Sequence, residues 1–451
     1  MKIKDCLGIS NAKLILGNED YIFAGFSKDT RTINPGDTYV GIKGENFDGN
    51  NFFEEAFLKG ADTCILEHID LTLELKKKYA GKNIILVNNS LEFIMGAAER
   101  KREEIHVPVI AITGSVGKTS TKTIVADTLE TKYNVLRTIG NENSQLGMSL
   151  RILNYSAEEC VVLEMGMNQA GEIHKLTSIA KPDIAVITNI GTSHIGNLGS
   201  RENILKAKLE ILDGLNGPII INNDNDLLHN WANMNTDVKV ITFGINNKSD
   251  YQATNISYDK QGSTYELNNE EISIPVIGDA FIYNSLTAFA VSDLLEVPHE
   301  NVKKVLSKLQ LEPHRMEFIN SKEYTIIDDT YNASLDSISY SLDVLSKLAG
   351  RKIAVLGDIL ELGEYGEEIH RNIGKLILEK KIDVLVTVGP LAKFINEEAE
   401  NLGFAKEHSI HFETNKEAIT FLKKSVKAND IVLIKASHGM NFLEIVNSLN
   451  E

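Results

Sequence analysis

The sequence predicts an α/β protein of three domains, centred on a largely parallel, doubly wound sheet that carries a phosphate-binding loop. Three observations predict it. A strand, a glycine loop and a helix follow one another from Val109, the arrangement of a phosphate-binding βα unit. Short β-branched runs alternate with helical segments through most of the chain, which favours parallel strands with crossover helices. And 451 residues exceed what one hydrophobic core organises, at roughly 150 residues per domain.

The first ~100 residues mix short strand-like runs with turn chemistry, so residues 1–104 read as a small mixed α/β domain. Asn34-Pro35-Gly36-Asp37 is a turn before the apolar Tyr39-Val40-Gly41-Ile42, and Phe47-Asp48-Gly49-Asn50 is another. A charged helix-like stretch, Glu92 to Glu104, leads to Val107-Pro108, where the chain is pushed out of helix. Residues 105–312 form the central domain. Its strands are expected at 109–112, 160–163, 184–187, 219–221 and 240–243, and its closing helix at Glu300 to Leu309, where Val302, Val305, Leu306 and Leu309 share a face. A second α/β series, residues 313–451, has strands expected at 324–327, 353–356, 384–388 and 431–434. There is no internal repeat and no low-complexity segment.

Composition narrows the function classes. With 43% hydrophobic and 24% charged residues the chain has an ordinary globular make-up. Its formal charge of -17 argues against a general nucleic-acid or membrane-surface binder. Cys6, Cys64 and Cys160 are too far apart for a metal pair and suggest a reducing compartment. No stretch approaches ~18 apolar residues and the N-terminus has no export signal, so a cytoplasmic enzyme is expected.

The loop Thr113-Gly114-Ser115-Val116-Gly117-Lys118-Thr119 is the sharpest chemical signal. Backbone N–H groups and the positive end of the following helix suit a polyphosphate, Lys118 neutralises the outer phosphates, and the Thr119 hydroxyl suits Mg²⁺. The strict GxxxxGK[ST] pattern is broken at its first glycine, where Ile112 stands. Asn247-Lys248-Ser249-Asp250 matches a guanine-reading pattern, but no DxxG lies between the loop and it, so ATP is expected rather than GTP. Glu164 ends the run Cys160 to Leu163, placing a carboxylate at a strand's carboxyl end, where Mg²⁺ beside phosphates would sit. His194 follows the strand at 184–187 at the same end of the sheet. Lys206 and Lys208 read, on spacing alone, as a solvated helix face.

These residues, taken in order with others, resemble the Mur ligases of peptidoglycan synthesis. The likeness runs through Asp29-Thr30-Arg31, Pro35-Gly36-Asp37, Gly44-Glu45-Asn46-Phe47-Asp48-Gly49, the phosphate loop, Gly140-Asn141-Glu142-Asn143, Glu164-Met165-Gly166-Met167-Asn168 with Gly171-Glu172-Ile173, Asn189 to His194, Ala207-Lys208, Asp328-Asp329-Thr330-Tyr331-Asn332-Ala333, Leu356-Gly357-Asp358 with Glu361-Leu362-Gly363, and Lys435-Ala436-Ser437. The resemblance implies a UDP-sugar-binding first domain, a central ATP-binding ligase domain and a Rossmann-like C-terminal domain. It points to the branch that joins D-alanyl-D-alanine to UDP-N-acetylmuramoyl-tripeptide through an acyl phosphate, with ATP and Mg²⁺, and to a monomer.

By the same resemblance Lys118, Glu164, His194 and Lys208 are catalytic. Glu164, His194 and Lys208 join Thr119 around magnesium, Lys208 as a carbamate. Asn284, Arg315 and Asn332 approach the nucleotide, and Arg31, Asn141 and Asn143 the sugar nucleotide. The sister ligase that adds a diamino acid is the nearest alternative, but its Asp-Asn-Pro-Arg clamp is absent. A non-catalytic nucleotide-binding paralogue would have had no need to keep all four catalytic positions. The chain departs from the usual family pattern at Ser144, Ala280, His314, Ser334-Leu335 and His438.

Overall fold

In the computed structural model, which describes residues 1–44, 47–235, 237–259, 261–321 and 323–450, the chain forms four sheets. Glu45 and Asn46 of the glycine-rich N-terminal motif lie outside the described residues. The first sheet has strands β1 (Lys13–Leu16), β2 (Phe26–Ser27), β3 (Thr38–Val40), β4 (Thr63–Leu66) and β5 (Asn83–Leu86), ordered β1-β5-β4-β3-β2, with only the β1–β5 pair antiparallel. The expected turn at Asn34–Asp37 feeds β3, with Gly36 at φ 91° and Asp37 N–H donating to the Asn34 carbonyl at 3.1 Å.

The central sheet has seven strands: β6 (Val109–Thr113), β7 (Val135–Arg137), β8 (Cys160–Glu164), β9 (Ile184–Ile187), β10 (Ile219–Asn222), β11 (Val240–Gly244) and β12 (Tyr251–Gln252). Their order is β12-β11-β10-β9-β6-β8-β7, and every pairing is parallel. β6, β8 and β9 are buried along their whole length, so apolar side chains face helices on both sides and the strands read as unbroken hydrophobic runs. The strand order reverses around β6, between β8 and β9. The crevice outside the carboxyl ends of these three strands is where an open α/β sheet binds its ligand.

β7 and β12, at the two edges of the central sheet, add to the five strands expected there. Other features also depart from expectation. β13 (Thr254–Asp259), β14 (Gly262–Leu267) and β15 (Glu270–Ile274) form a separate antiparallel sheet, unexpected because its apolar residues alternate with polar ones in a sequence rich in turn formers. The helix expected at 300–309 spans His299–Leu306, its first turn set by Pro298.

The last sheet contains β16 (Glu317–Asn320), β17 (Thr325–Asp328), β18 (Lys352–Gly357), β19 (Val384–Val388), β20 (Ser409–Phe412) and β21 (Ile431–Lys435), ordered β16-β17-β21-β18-β19-β20. It is parallel except for the β16–β17 pair. One continuous core runs from Phe93 through the central sheet to Leu356 and Ile377, while the outer faces of the first and last sheets pack smaller cores of their own. Among the described residues no helix is long and apolar enough to cross a membrane.

Specific contacts join the sheets. The Asn154 side chain takes both hydrogen bonds of the Phe26 backbone, at 2.8 and 3.0 Å. Asp336, in the first turn of the helix Leu335–Lys347, accepts from the Thr192 backbone N–H at 2.7 Å and the Thr192 hydroxyl at 3.0 Å. A Cβ on Gly191 would overlap that carboxylate, so only glycine permits the approach. Farther along the same helix Lys347 reaches Asp279 at 3.0 Å, and the Tyr365 hydroxyl donates to the Gly199 carbonyl at 2.6 Å.

Candidate active site

A cavity of about 640 Å³ opens at the carboxyl ends of β6, β8 and β9. Its walls include Leu91 from the first part of the chain, Ser115 to Thr119, Asn141, Asn143, Glu164, His194 and Asn284 from the middle, and Arg315, Asn332 and Lys435 from the last.

The loop after β6 is shaped by Gly114 at φ 151° and Gly117 at φ 85°, backbone angles that favour glycine. The helix Lys118–Leu129 begins immediately afterwards without a side-chain cap, leaving its first N–H groups directed at the cavity. The N–H groups of Ser115 and Val116 are differently engaged. Both donate to Asn189 Oδ1, at 3.0 and 2.8 Å, so in this arrangement the open anion cradle is the helix start rather than the whole loop. Thr113 and Gly114 shape the loop from below, the Thr113 hydroxyl donating to the Met165 carbonyl at 2.8 Å. Lys118 folds its ammonium onto the Gly114 carbonyl at 2.9 Å, and burial, joined by the nearby Arg315, draws its pKa downward.

Glu164 ends β8 and is 2% exposed. Its Oε1 accepts from Asn143 Nδ2 at 2.9 Å, while Oε2 is buried without a hydrogen-bond partner among the described residues and has the Lys122 ammonium at 3.6 Å. His194, at φ 65°, has a buried Nδ1 without a hydrogen bond among the described residues, with Glu361 Oε2 at 3.6 Å. Burial, then Lys118 and Lys208, push its pKa down to about 4, so the ring is neutral at physiological pH. Lys208 is 2% exposed and is not among the described residues that line the cavity; burial and Lys118 hold its pKa well below that of an ordinary lysine. Its expected placement on a solvated face, read from spacing alone, is therefore corrected. A buried carboxylate oxygen that takes no hydrogen bond among the described residues, with the Thr119 hydroxyl and the His194 imidazole lining the same cavity, forms a donor set that suits Mg²⁺.

From the last sheet, Arg315 stacks its guanidinium 3.8 Å above the Tyr331 ring. Lys435, 2% exposed, pairs with Asp329 at 2.6 Å and donates to the Asn332 carbonyl at 2.9 Å. Asn284 accepts from the Thr121 hydroxyl at 2.9 Å, beneath Gly117. Arg31 is not brought to this cavity: it lies on the surface, forked onto Asp29 at 2.6 to 3.1 Å. Lys122 escaped sequence reasoning, although it stands one helical turn beyond Lys118. Asp329 and Glu361 lay inside motifs of the resemblance without an assigned role, and the structure gives them Lys435 and His194 as neighbours.

A profile described as "Mur ligase middle domain" matches residues 112–292, and one described as "Mur ligase, glutamate ligase domain" matches residues 314–438. The UDP-N-acetylmuramoyl-tripeptide–D-alanyl-D-alanine ligase of Bacillus subtilis (strain 168) is 36% identical over 441 residues, covering 96% of this chain and 94% of its own. The chain belongs to the Mur ligase family. The Escherichia coli (strain K12) ligase of the same name is 31% identical, covering 97% and 96% of the two chains. Among solved structures, MurF from Acinetobacter baumannii superposes with a TM-score of 0.87 at 28% identity, over 99% of this chain and 98% of that one. The Thermotoga maritima MurF ligase in complex with ADP gives 0.82 at 28% identity, over 95% and 97%.

The departures from the Mur ligase pattern have local reasons. Ser144 caps the helix Gln145–Leu153 through the Gly147 N–H at 3.3 Å. Ser334 makes a capping box with Ser337, and Leu335 opens that helix where proline is usual. His314 adopts the left-handed φ of 61° that glycine would favour, held by Asp328 Oδ2 at 2.7 Å. Ala280 adds open space to the cavity wall, and the His438 ring lies 6.3 Å from that of Tyr331. The guanine-like Asn247 to Asp250 stretch serves its own loop: Asp250 accepts from Thr242 at 2.8 Å, while the Asn247 N–H donates to Asp224 at 2.7 Å.

Proposed function

We propose that this chain is the ATP-dependent ligase that joins D-alanyl-D-alanine to the peptide carboxylate of UDP-N-acetylmuramoyl-tripeptide, with Mg²⁺, in the cytoplasm and as a monomer. The observation that carries the reading is the convergence, in one cavity, of the Lys118–Thr119 helix start, the unpaired oxygen of Glu164 and His194. We assign residues 1–104 to the sugar nucleotide, 105–312 to ATP and 313–451 to closure over both.

A carboxylate is a poor electrophile; its oxygen takes the γ-phosphoryl group of ATP as the bond to ADP breaks, and the dipeptide amine, giving up a proton, attacks the resulting acyl phosphate. The amide forms as phosphate leaves. The helix start and Lys118 hold the nucleotide's phosphates and stabilise charge that gathers during transfer. Glu164, Thr119, His194 and a carbamylated Lys208 would hold magnesium, which supplies Lewis-acid stabilisation of the transferred phosphoryl group. Lys208 suits carbamylation because its buried amine favours the neutral, nucleophilic form. Asn143 orients Glu164 as well as facing the cavity, and Arg315 with Asn332 approach the nucleotide from the last sheet. Arg31 would meet the sugar nucleotide away from the reacting end.

Phosphate release tests the reading, with UDP-N-acetylmuramoyl-tripeptide and, in turn, D-Ala-D-Ala, D-Ala-D-Lac, meso-diaminopimelate or L-lysine. Release that depends on D-Ala-D-Ala is expected. Turnover with a diamino acid instead would assign the chain to the sister activity, and ATP binding without turnover would refute catalysis.

A further inference from the structure

Two residues with a Cβ face one another across the joint between the central and last sheets, and both have a left-handed backbone: His194 at φ 65° and Glu361 at φ 64°. Such a conformation is uncommon outside glycine and persists where surrounding structure imposes it. Here the surroundings are tight. The turn at 361–363 lies on Gly196 so closely that a Cβ there would overlap the Glu361 carbonyl, and Tyr365 fastens the same turn to Gly199 at 2.6 Å. The last part of the chain thus delivers one carboxylate, the largely exposed Glu361, to one buried imidazole nitrogen, Nδ1 of His194, which has no hydrogen-bond partner among the described residues.

At 3.6 Å the pair is an ion-pair-range contact rather than a hydrogen bond. A movement of less than 1 Å would make it one, and closure on substrates supplies movements of this kind. We propose that Glu361 is a positioning residue for His194: when the turn seats fully, its carboxylate accepts the Nδ1 proton and fixes the tautomer whose Nε2 lone pair is free to face the cavity. Imidazoles that bind metals are commonly oriented this way, through a carboxylate on the other nitrogen. Because Glu361 comes from the last sheet, the orientation of His194 is coupled to docking of that sheet. The inference rests on His194 being a magnesium-side residue.

The test uses full-length protein with ADP. Glu361→Gly removes the carboxylate and suits the left-handed backbone, so the variant keeps its fold; Glu361→Gln retains an acceptor oxygen. In ¹⁵N-histidine-labelled protein with Mg²⁺ and ADP, the His194 signal, identified by its loss in His194→Gly, is expected to report Nδ1–H in the wild type and in Glu361→Gln. In Glu361→Gly it shifts towards Nε2–H. Mn²⁺ binding to the ADP complex, followed by electron paramagnetic resonance, is expected to weaken about 10-fold or more in Glu361→Gly, with ADP affinity in the absence of metal unchanged. Wild-type nitrogen shifts and wild-type Mn²⁺ affinity in Glu361→Gly would overturn the proposal. If His194→Gly weakens Mn²⁺ binding while Glu361→Gly does not, the role of Glu361 alone falls. If His194→Gly leaves Mn²⁺ binding intact, the assignment of His194 falls and takes this inference with it.

Discussion

Asp336 is the most direct link between the helix Leu335–Lys347 and the loop that carries His194, and Asp336→Ala removes it. The carboxylate accepts two hydrogen bonds from Thr192, at 2.7 and 3.0 Å, and is partly buried. Hydrogen bonds to a charged group contribute about 1.5–3 kcal/mol each when well shielded. Partial exposure and the sharing of one oxygen reduce the pair to about 2 kcal/mol, which at 1.4 kcal/mol per decade shifts the docked arrangement about 30-fold. If that arrangement is the competent one, kcat/KM for phosphate release falls by the same factor, and small-angle scattering with both substrates shows a more extended particle. Thr192→Val removes only the hydroxyl bond, about 1 kcal/mol and about 5-fold. Added to Asp336→Ala, it brings no further loss, because both changes remove one interaction. The reasoning fails if Asp336→Ala keeps kcat/KM within threefold of wild type, or if the two losses multiply.

Other expectations follow from buried charge. Lys208→Ala abolishes ligation, and a small carboxylate or bicarbonate restores part of it; full activity in the unsupplemented variant would remove the carbamate from the mechanism. Lys435→Met leaves the Asp329 carboxylate buried with, among the described residues, the Ser341 hydroxyl and the Met316 N–H as its donors, at 2.6 and 3.2 Å, and lowers stability to urea by about 3 kcal/mol. Adding Asp329→Asn recovers most of it, and a loss below about 1 kcal/mol would contradict the pairing. His194, held near 4 by burial, binds its proton more weakly folded than unfolded. Stability therefore falls as pH drops from about 6.5 towards 4, the window between the unfolded and folded pKa values. His194→Asn, which tolerates the same backbone, should flatten urea-unfolding midpoints across that window; an unchanged slope would show that the ring is not titrating there.

The inner strands of the central sheet were legible because they are buried on both faces: β9 occupies the span that β-branched density marks, and β6, β8 and β10 extend one residue further. β19 of the last sheet, equally buried, also fills its marked span, whereas the short, half-exposed edge strands β7 and β12 carry no such density. β13 to β15 were not legible. Half their side chains face solvent, and Asn255, Asn268 and Asn269 at positive φ give the passage the composition of a loop. In the site, the glycines and Lys118 announce themselves because phosphate binding demands a fixed local spacing. Lys208 does not, because its burial is created by packing against distant chain, and a helix of alternating charge conceals it. Glu361 and Asp336 are harder still: each acts across a junction between sheets, which local periodicity cannot encode.

The cavity has one further consequence. Its walls are assembled from parts of the chain whose strands are hydrogen-bonded into separate sheets, so its volume is a property of their assembly rather than of any one of them. A molecule touching Leu91, Lys118 and Tyr331 together would act as a non-covalent staple. Its binding energy enters the coupling between units, drawing separate unfolding steps towards a single transition. A bound ligand would then be read as cooperativity: a narrower thermal transition as well as a later one.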